Sequence, residues 1–146
     1  MSNNWNDYTG LDYFKAMIAG ETPHARMASQ IPMRCVAAEH GFLRFIARAG
    51  AQHTNPFGPV HGGFAATVLD SAGACAVHTT VEQGVGSTTI DLHVKYFRPV
   101  PQDVDLIADA RVTNVSKRLG VADCTLTDDT GKLYAQATVT CMILRD

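Results

Sequence analysis

Residues 64–77 read FAATVLDSAGACAV, small and apolar on every side of a helical wheel and broken by a single charge, Asp70. A helix with no polar face has to be surrounded by protein. The rest of the chain is rich in strand patterns, and a flat sheet would leave one side of such a helix in water, so the sheet must curl around it. Residues 33–48 alternate in two halves about Glu39-His40-Gly41, which predicts a hairpin. Ile90, Leu92, Val94 and Tyr96 alternate with polar neighbours, as do Val104, Leu106, Ala108 and Ala110 beyond Pro99 and Pro101. A further strand covers residues 120–127, Asp128-Asp129-Thr130-Gly131 predicts a turn with Gly131 at positive φ, and a last strand runs over residues 133–143. The expected class is α+β: a long central helix, ended near Gly84 to Gly86, wrapped by a curved, mostly antiparallel sheet of about six strands.

Ahead of the hairpin, Leu11, Phe14, Met17 and Ile18 recur at helical spacing before Gly20, which predicts a short amphipathic helix lidding or flanking the body. Residues 1–32 are thus expected to be a flanking helix and loop, and residues 33–146 the main domain. No repeat or Pro/Gly/Ser-rich linker divides the 146 residues, so one domain overall is expected. Residues 52–59 hold Asn55, two prolines and a glycine, an irregular loop delivering the chain to His61-Gly62-Gly63.

Charge excludes some partners. Twelve Lys and Arg against 14 Asp and Glu give a net charge of -2, no field to hold nucleic acid or an anionic membrane. The start, MSNNWNDYTG, has neither a basic flank nor an apolar core, and no apolar run of membrane-spanning length follows, so a cytoplasmic protein is expected. Cys35, Cys75, Cys124 and Cys141 stand singly, without the paired spacing of a zinc or dithiol centre. They read as small core hydrophobes in a reducing compartment, and no metal site is expected.

Two features point to chemistry. A carboxylate in an apolar helix costs several kcal/mol without partners. Asp70 therefore pairs internally, sits at a solvated crevice, or does chemical work. At the entrance to the same helix, Gly62 and Gly63 let a ligand approach backbone N–H groups at the positive end of the helix dipole; the alternative is a turn that needs glycine for its φ alone. His61 and Asp70 are nine helical steps apart, roughly 13 Å, too far to touch one carbonyl group. Two copies with antiparallel central helices would bring the amino end of one beside the middle of the other. A dimer with two equivalent sites, each built from both chains, is expected.

The string Asn55-x5-His61-Gly62-Gly63-x6-Asp70, followed by Thr89-Ile90-Asp91-Leu92-His93-Val94-Lys95-Tyr96-Phe97-Arg98-Pro99, resembles the hotdog-fold acyl-CoA thioesterases of the phenylacetic-acid-degradation group. The likeness extends from about Val36 to Leu144 and takes in Gly131-Lys132-Leu133 and Ala135-x-Ala137. The resemblance implies a hotdog fold, a homodimer that often pairs into a homotetramer as a dimer of dimers, and hydrolysis of a fatty or aromatic acyl-CoA with no cofactor and no metal. It implies Asp70 as general base or nucleophile and the Gly62 N–H as the donor polarising the thioester carbonyl. It further implies that Asn55 orients the reacting groups, that His61 supports the loop, and that Thr89 stands where relatives place a Ser or Thr that positions water or the carboxylate.

Strand alternation resists the last assignment. It sets Thr89 with Asp91, His93 and Lys95, opposite the apolar row, pointing away from its own helix. A bulge near Gly86-Ser87 would substitute Ser87 or Thr88. For the CoA phosphates the candidates are Arg98, Lys117 and Arg118, with Gly63 at the loop; solvated turn charges are the alternative. Met17, Met33, Phe42, Phe45, Phe57 and Phe64 are candidates to line an acyl tunnel or simply the core. His78 reads as packing on the face of Asp70, and no chemistry is assigned to His24, His40, His53 or His93. A non-catalytic acyl-CoA binding protein of the same fold is the second reading. A dehydratase of β-hydroxyacyl thioesters ranks below both, because its His and carboxylate would have to meet at the reacting carbons.

Overall fold

The computed structural model describes residues 4–146. Helix α1 (Gly10–Ile18) precedes strands β1 (Met33–Glu39) and β2 (Phe42–Ala47); helix α2 (Gly62–His78) follows, then β3 (Gly86–Tyr96), β4 (Leu106–Val115), β5 (Leu119–Thr127) and β6 (Leu133–Leu144). The six strands form one sheet in the order β1-β2-β4-β5-β6-β3, every neighbour antiparallel. The 17 residues of α2, about 26 Å long, lie in its concave face. Val68, Leu69, Ala72, Ala76 and Val77 are buried there against Leu43, Leu106, Leu126 and Val139. The all-round apolar run is satisfied on most of its circumference. One stripe stays half open: Ala66, Thr67, Asp70, Ser71, Ala74, Cys75 and His78.

The β1-β2 hairpin turns at His40-Gly41, with Gly41 at φ +78°, and Gly131 takes φ +84° in the turn before β6, both where the sequence places them. Two boundaries differ. Helix α2 stops at His78, short of Gly84, because the Thr79 hydroxyl donates to Ala76 O at 2.6 Å and accepts from the Gly41 N–H at 2.8 Å, tying the helix end to the hairpin turn. Strand β4 begins at Leu106 rather than Val104 because Asp103, at φ +58°, is held through its N–H on Ala49 O; it runs on to Val115, through polar residues that obscure the pattern.

Gly73 sets the closeness of helix to sheet. A Cβ there would lie 2.5 Å from Val139 Cγ2 and 2.9 Å from Cys124 Sγ. Alanine raises helix propensity by about 0.8–1.0 kcal/mol, yet overpacking costs about 1–3 kcal/mol. Gly73→Ala is expected to destabilise the fold by about 1–2 kcal/mol, read as a lower urea midpoint at unchanged slope; a higher midpoint would show that the sheet yields freely.

Candidate active site

Asp70 is half-buried on the open stripe of α2, and its Oδ1 accepts a 2.8 Å hydrogen bond from the Thr89 hydroxyl. Thr89 therefore faces its own helix, against the expectation from alternation. The cause is a bulge, three or four residues past the place considered from sequence. Thr89 pairs with Cys141 and Asp91 with Thr140, so Ile90 is the extra residue. One inserted residue reverses the side-chain phase, and Thr89 joins Leu92, Val94 and Tyr96 on the inner face, opposite Cys141, Val139, Ala137 and Ala135 of β6. Ser87 turns to His78 Nδ1 at 3.2 Å, and Thr88 is exposed. Asp70 Oδ2 has no hydrogen-bond partner among the described residues.

The amino end of α2 is built by three side chains. His61 is the N-cap, its Nδ1 accepting from the Gly63 N–H at 2.8 Å. That engages Gly63 and leaves the Gly62 N–H without a partner among the described residues. Asn55 closes the preceding loop: its Oδ1 accepts from the Phe57 N–H at 2.8 Å and its N–H donates to Pro59 O at 2.8 Å. Its NH2 group is what remains for a ligand. Tyr96, at the end of β3, donates its hydroxyl to Gly62 O at 2.7 Å, and its ring stands 3.2 Å from where a Gly62 Cβ would be. Burial raises the Tyr96 phenol above its ordinary range, so it remains a donor. Sequence reasoning placed Tyr96 in an apolar row and in the string carrying the resemblance but gave it no role; its hydroxyl at a strand end, three residues before Pro99, was the available signal.

His53, read as a turn residue without chemistry, is buried and structural. Its Nδ1 accepts from the Gly50 N–H at 2.9 Å and its Nε2 donates to Gln30 O at 2.7 Å, pinning the loop before α2. His78 packs edge-on against Trp5 and Phe14, and burial lowers its affinity for a second proton. Cys35, Cys124 and Cys141 are buried and Cys75 half-buried. Burial pushes the Cys35 thiol up to about 11 and that of Cys124 up to about 12, and raises Cys75 and Cys141, against any thiolate nucleophile at neutral pH. Among the described residues no three His, Cys, Asp or Glu stand together as metal ligands, and no helix is long and apolar enough to cross a membrane.

The cationic candidates do not meet within one chain. Arg98 donates to Leu133 O at 2.7 Å beside the amino end of α2, whereas Lys117 and Arg118 turn between β4 and β5 at the far end of the sheet, near Gly86 and Leu144. Gly62 and Asp70, eight helical residues apart, are separated by about 12 Å of helix rise. Of the suggested tunnel residues, Met17, Met33 and Phe45 surround one cavity; Phe57 is 91% exposed, Phe64 packs on His53, and Phe42 lies under Arg111.

An apolar helix gripped by a curved antiparallel sheet, with an acid on the helix and a glycine pair at its head, defines the hotdog class. Residues 57–135 match the Thioesterase superfamily, and the chain belongs to that family. It is 36% identical over 86 residues to mouse acyl-coenzyme A thioesterase 13, covering 58% of this chain and 61% of that protein. A relative from Halobacterium salinarum is 48% identical over 68 residues, 45% of this chain and 44% of its own. The matches thus span less than two thirds of these curated relatives. The crystal structure of a phenylacetic acid degradation-related protein from Ralstonia eutropha JMP134 superposes with a TM-score of 0.81 at 32% identity, covering 89% of this chain and 98% of that one.

Proposed function

We propose that the protein hydrolyses acyl-CoA thioesters, with Asp70 as base or nucleophile and the Gly62 N–H of a second copy as oxyanion donor. The observation carrying this reading is the carboxylate of Asp70, fixed through one oxygen by Thr89 with the other oxygen open, on the one stripe of α2 that the chain leaves uncovered. Acting as base, Oδ2 takes a proton from water as the water oxygen attacks the thioester carbon. The carbonyl oxygen gains negative charge beside Gly62 N–H, the C–S bond breaks, and the proton passes to the CoA sulfur. Acting as nucleophile, the carboxylate attacks the thioester carbon, and the C–S bond breaks to release CoA thiolate and leave a mixed anhydride. Water opens the anhydride to the free acid and the Asp70 carboxylate, its released proton going to the thiolate. Water is the only co-reactant, so no cofactor is needed. The hydrogen bond from Thr89 occupies Oδ1, which supports Oδ2 as the reacting oxygen, and His61 and Asn55 hold the loop that presents Gly62.

The distance between Gly62 and Asp70 supports a two-chain site. So does β3, an edge strand whose Ile90, Leu92 and Tyr96 are exposed, beside the half-open stripe of α2. Antiparallel pairing of two β3 edges covers that surface and sets Thr89 of one chain toward Tyr96 of the other. The same rotation brings Lys117 and Arg118 toward Arg98 of the second copy, a cationic rim for CoA phosphates. A dimer of dimers and a cytoplasmic setting belong to the same proposal.

The test is release of free thiol from a panel of aliphatic and aromatic acyl-CoAs. Turnover is expected; tight binding without thiol release across the panel would make the protein an acyl-CoA binder instead. Tyr96→Phe removes one hydroxyl and frees a peptide flanked by two glycines. Its expected effect is a fall in kcat of about 2- to 12-fold, the worth of one net hydrogen bond, at unchanged KM. An unchanged kcat would remove Tyr96 from the positioning of Gly62.

A further inference from the structure

Beneath α1 lies a cavity of about 270 Å³, bounded by Phe14 and Met17 of α1, Met33 of β1, Phe45 of β2, and Ser71 and Cys75 of α2. Its polar groups are few and mostly engaged. His24 Nε2 accepts from the Cys35 N–H at 3.0 Å, and the Tyr13 hydroxyl points to Pro23 O at 3.4 Å. No charged side chain lines it, so its occupant is uncharged and apolar. Ser71 directly follows Asp70 on α2, both on the half-open stripe, and Cys75, which also lines the cavity, lies within electrostatic reach of the Asp70 carboxylate. The roof is fixed: the Gly10 N–H donates to Val81 O at 3.1 Å, a Cβ on Gly10 would collide with His78 O, and the Thr22 hydroxyl donates to Tyr13 O at 3.2 Å. The space is therefore formed before a ligand arrives.

We infer that this cavity takes the acyl group of the thioester, and that Met17 on α1 and Ala28 on the turn at its rim set the largest group accepted. This rests on the reading of Asp70 as the acid that works on the thioester. Size bounds the substrate class. An apolar cavity of about 150 Å³ holds benzene, and at the roughly 30 Å³ that a water-sized group occupies the present one holds about nine such groups. Phenylacyl and medium-chain acyl groups fit; a hexadecanoyl chain does not. Methionines at 17, 27 and 33 suit either a ring or a chain, since the unbranched thioether adapts its shape.

The experiment measures kcat/KM for butanoyl-, octanoyl-, phenylacetyl- and hexadecanoyl-CoA in the full chain and two variants. The full chain is expected to favour octanoyl or phenylacetyl over hexadecanoyl by tenfold or more. Met17→Ala should raise the hexadecanoyl to octanoyl ratio at least tenfold, and Ala28→Phe, which fills the cavity from an exposed turn, should lower the octanoyl to butanoyl ratio at least tenfold. If Met17→Ala fails to fold, Ala28→Phe decides. Ratios within twofold of the full chain, with turnover retained, overturn the inference and leave the hydrolase reading intact. Absence of turnover on every ester overturns the hydrolase reading alone. The cavity is then judged by calorimetry with the thioether octyl-CoA: a tenfold weaker Kd in Ala28→Phe sustains it, and an equal Kd overturns it.

Discussion

Asp70→Asn is expected to lower kcat for thiol release by about 10²- to 10⁴-fold, the range assigned to a positioned acid or base, while the fold and substrate binding persist. Asparagine is isosteric, and its side-chain oxygen can still accept the hydrogen bond that Thr89 now gives to Asp70 Oδ1 at 2.8 Å. What it lacks is a second oxygen able to receive a proton or attack a carbonyl. Tight binding at greatly reduced kcat is therefore the signature of a chemical role. An Asp70→Asn protein with the parent's turnover would place the reaction elsewhere and return Asp70 to a structural partner of Thr89. Thr89→Val removes the restraint and keeps the carboxylate, so its kcat should fall less, by about the 1.5–3 kcal/mol of a hydrogen bond to a charged group at most.

Placing lysines at both Ile90 and Leu92 is expected to convert the proposed dimer into single chains of 15.7 kDa and to abolish measurable turnover. Both residues lie on the edge strand and are substantially exposed in the single chain. Like charges facing one another across a two-fold axis oppose strand pairing. Neither position belongs to the buried core, so each chain should stay folded. In the proposed two-chain site, loss of the second copy takes the Gly62 N–H away from Asp70, and one oxyanion donor alone is worth about 10²- to 10³-fold in kcat. Light scattering and thiol release on the same sample form the check. A single-chain variant with full activity would show that one protomer completes its own site.

Much of the architecture was legible in the chain itself. The all-round apolar run at residues 64–77 required a surrounded helix, alternation about Glu39-His40-Gly41 required a hairpin, and Gly131 marked a turn; each is a local pattern set by side-chain period or by backbone sterics. The acid and the glycine pair were also visible, because a charge within an apolar helix and two adjacent glycines at its head both break the surrounding pattern. The position of the bulge at Ile90 was not. Bulges carry little residue preference, and one inserted residue moved Thr89 from the outer face to within 2.8 Å of Asp70.

The sequence by itself determined the elements, the helix that had to be enclosed, and the acid that had to be accounted for, since these follow from interactions within a few residues of one another. Only the tertiary structure decided that Thr89 holds Asp70, that Tyr96 holds Gly62, that Arg98 and the Lys117-Arg118 turn lie at opposite ends of the sheet, and that α1 roofs a cavity beside Ser71. These depend on strand register and on how closely elements pack. Both are fixed by contacts between residues far apart in the chain, which no local pattern records.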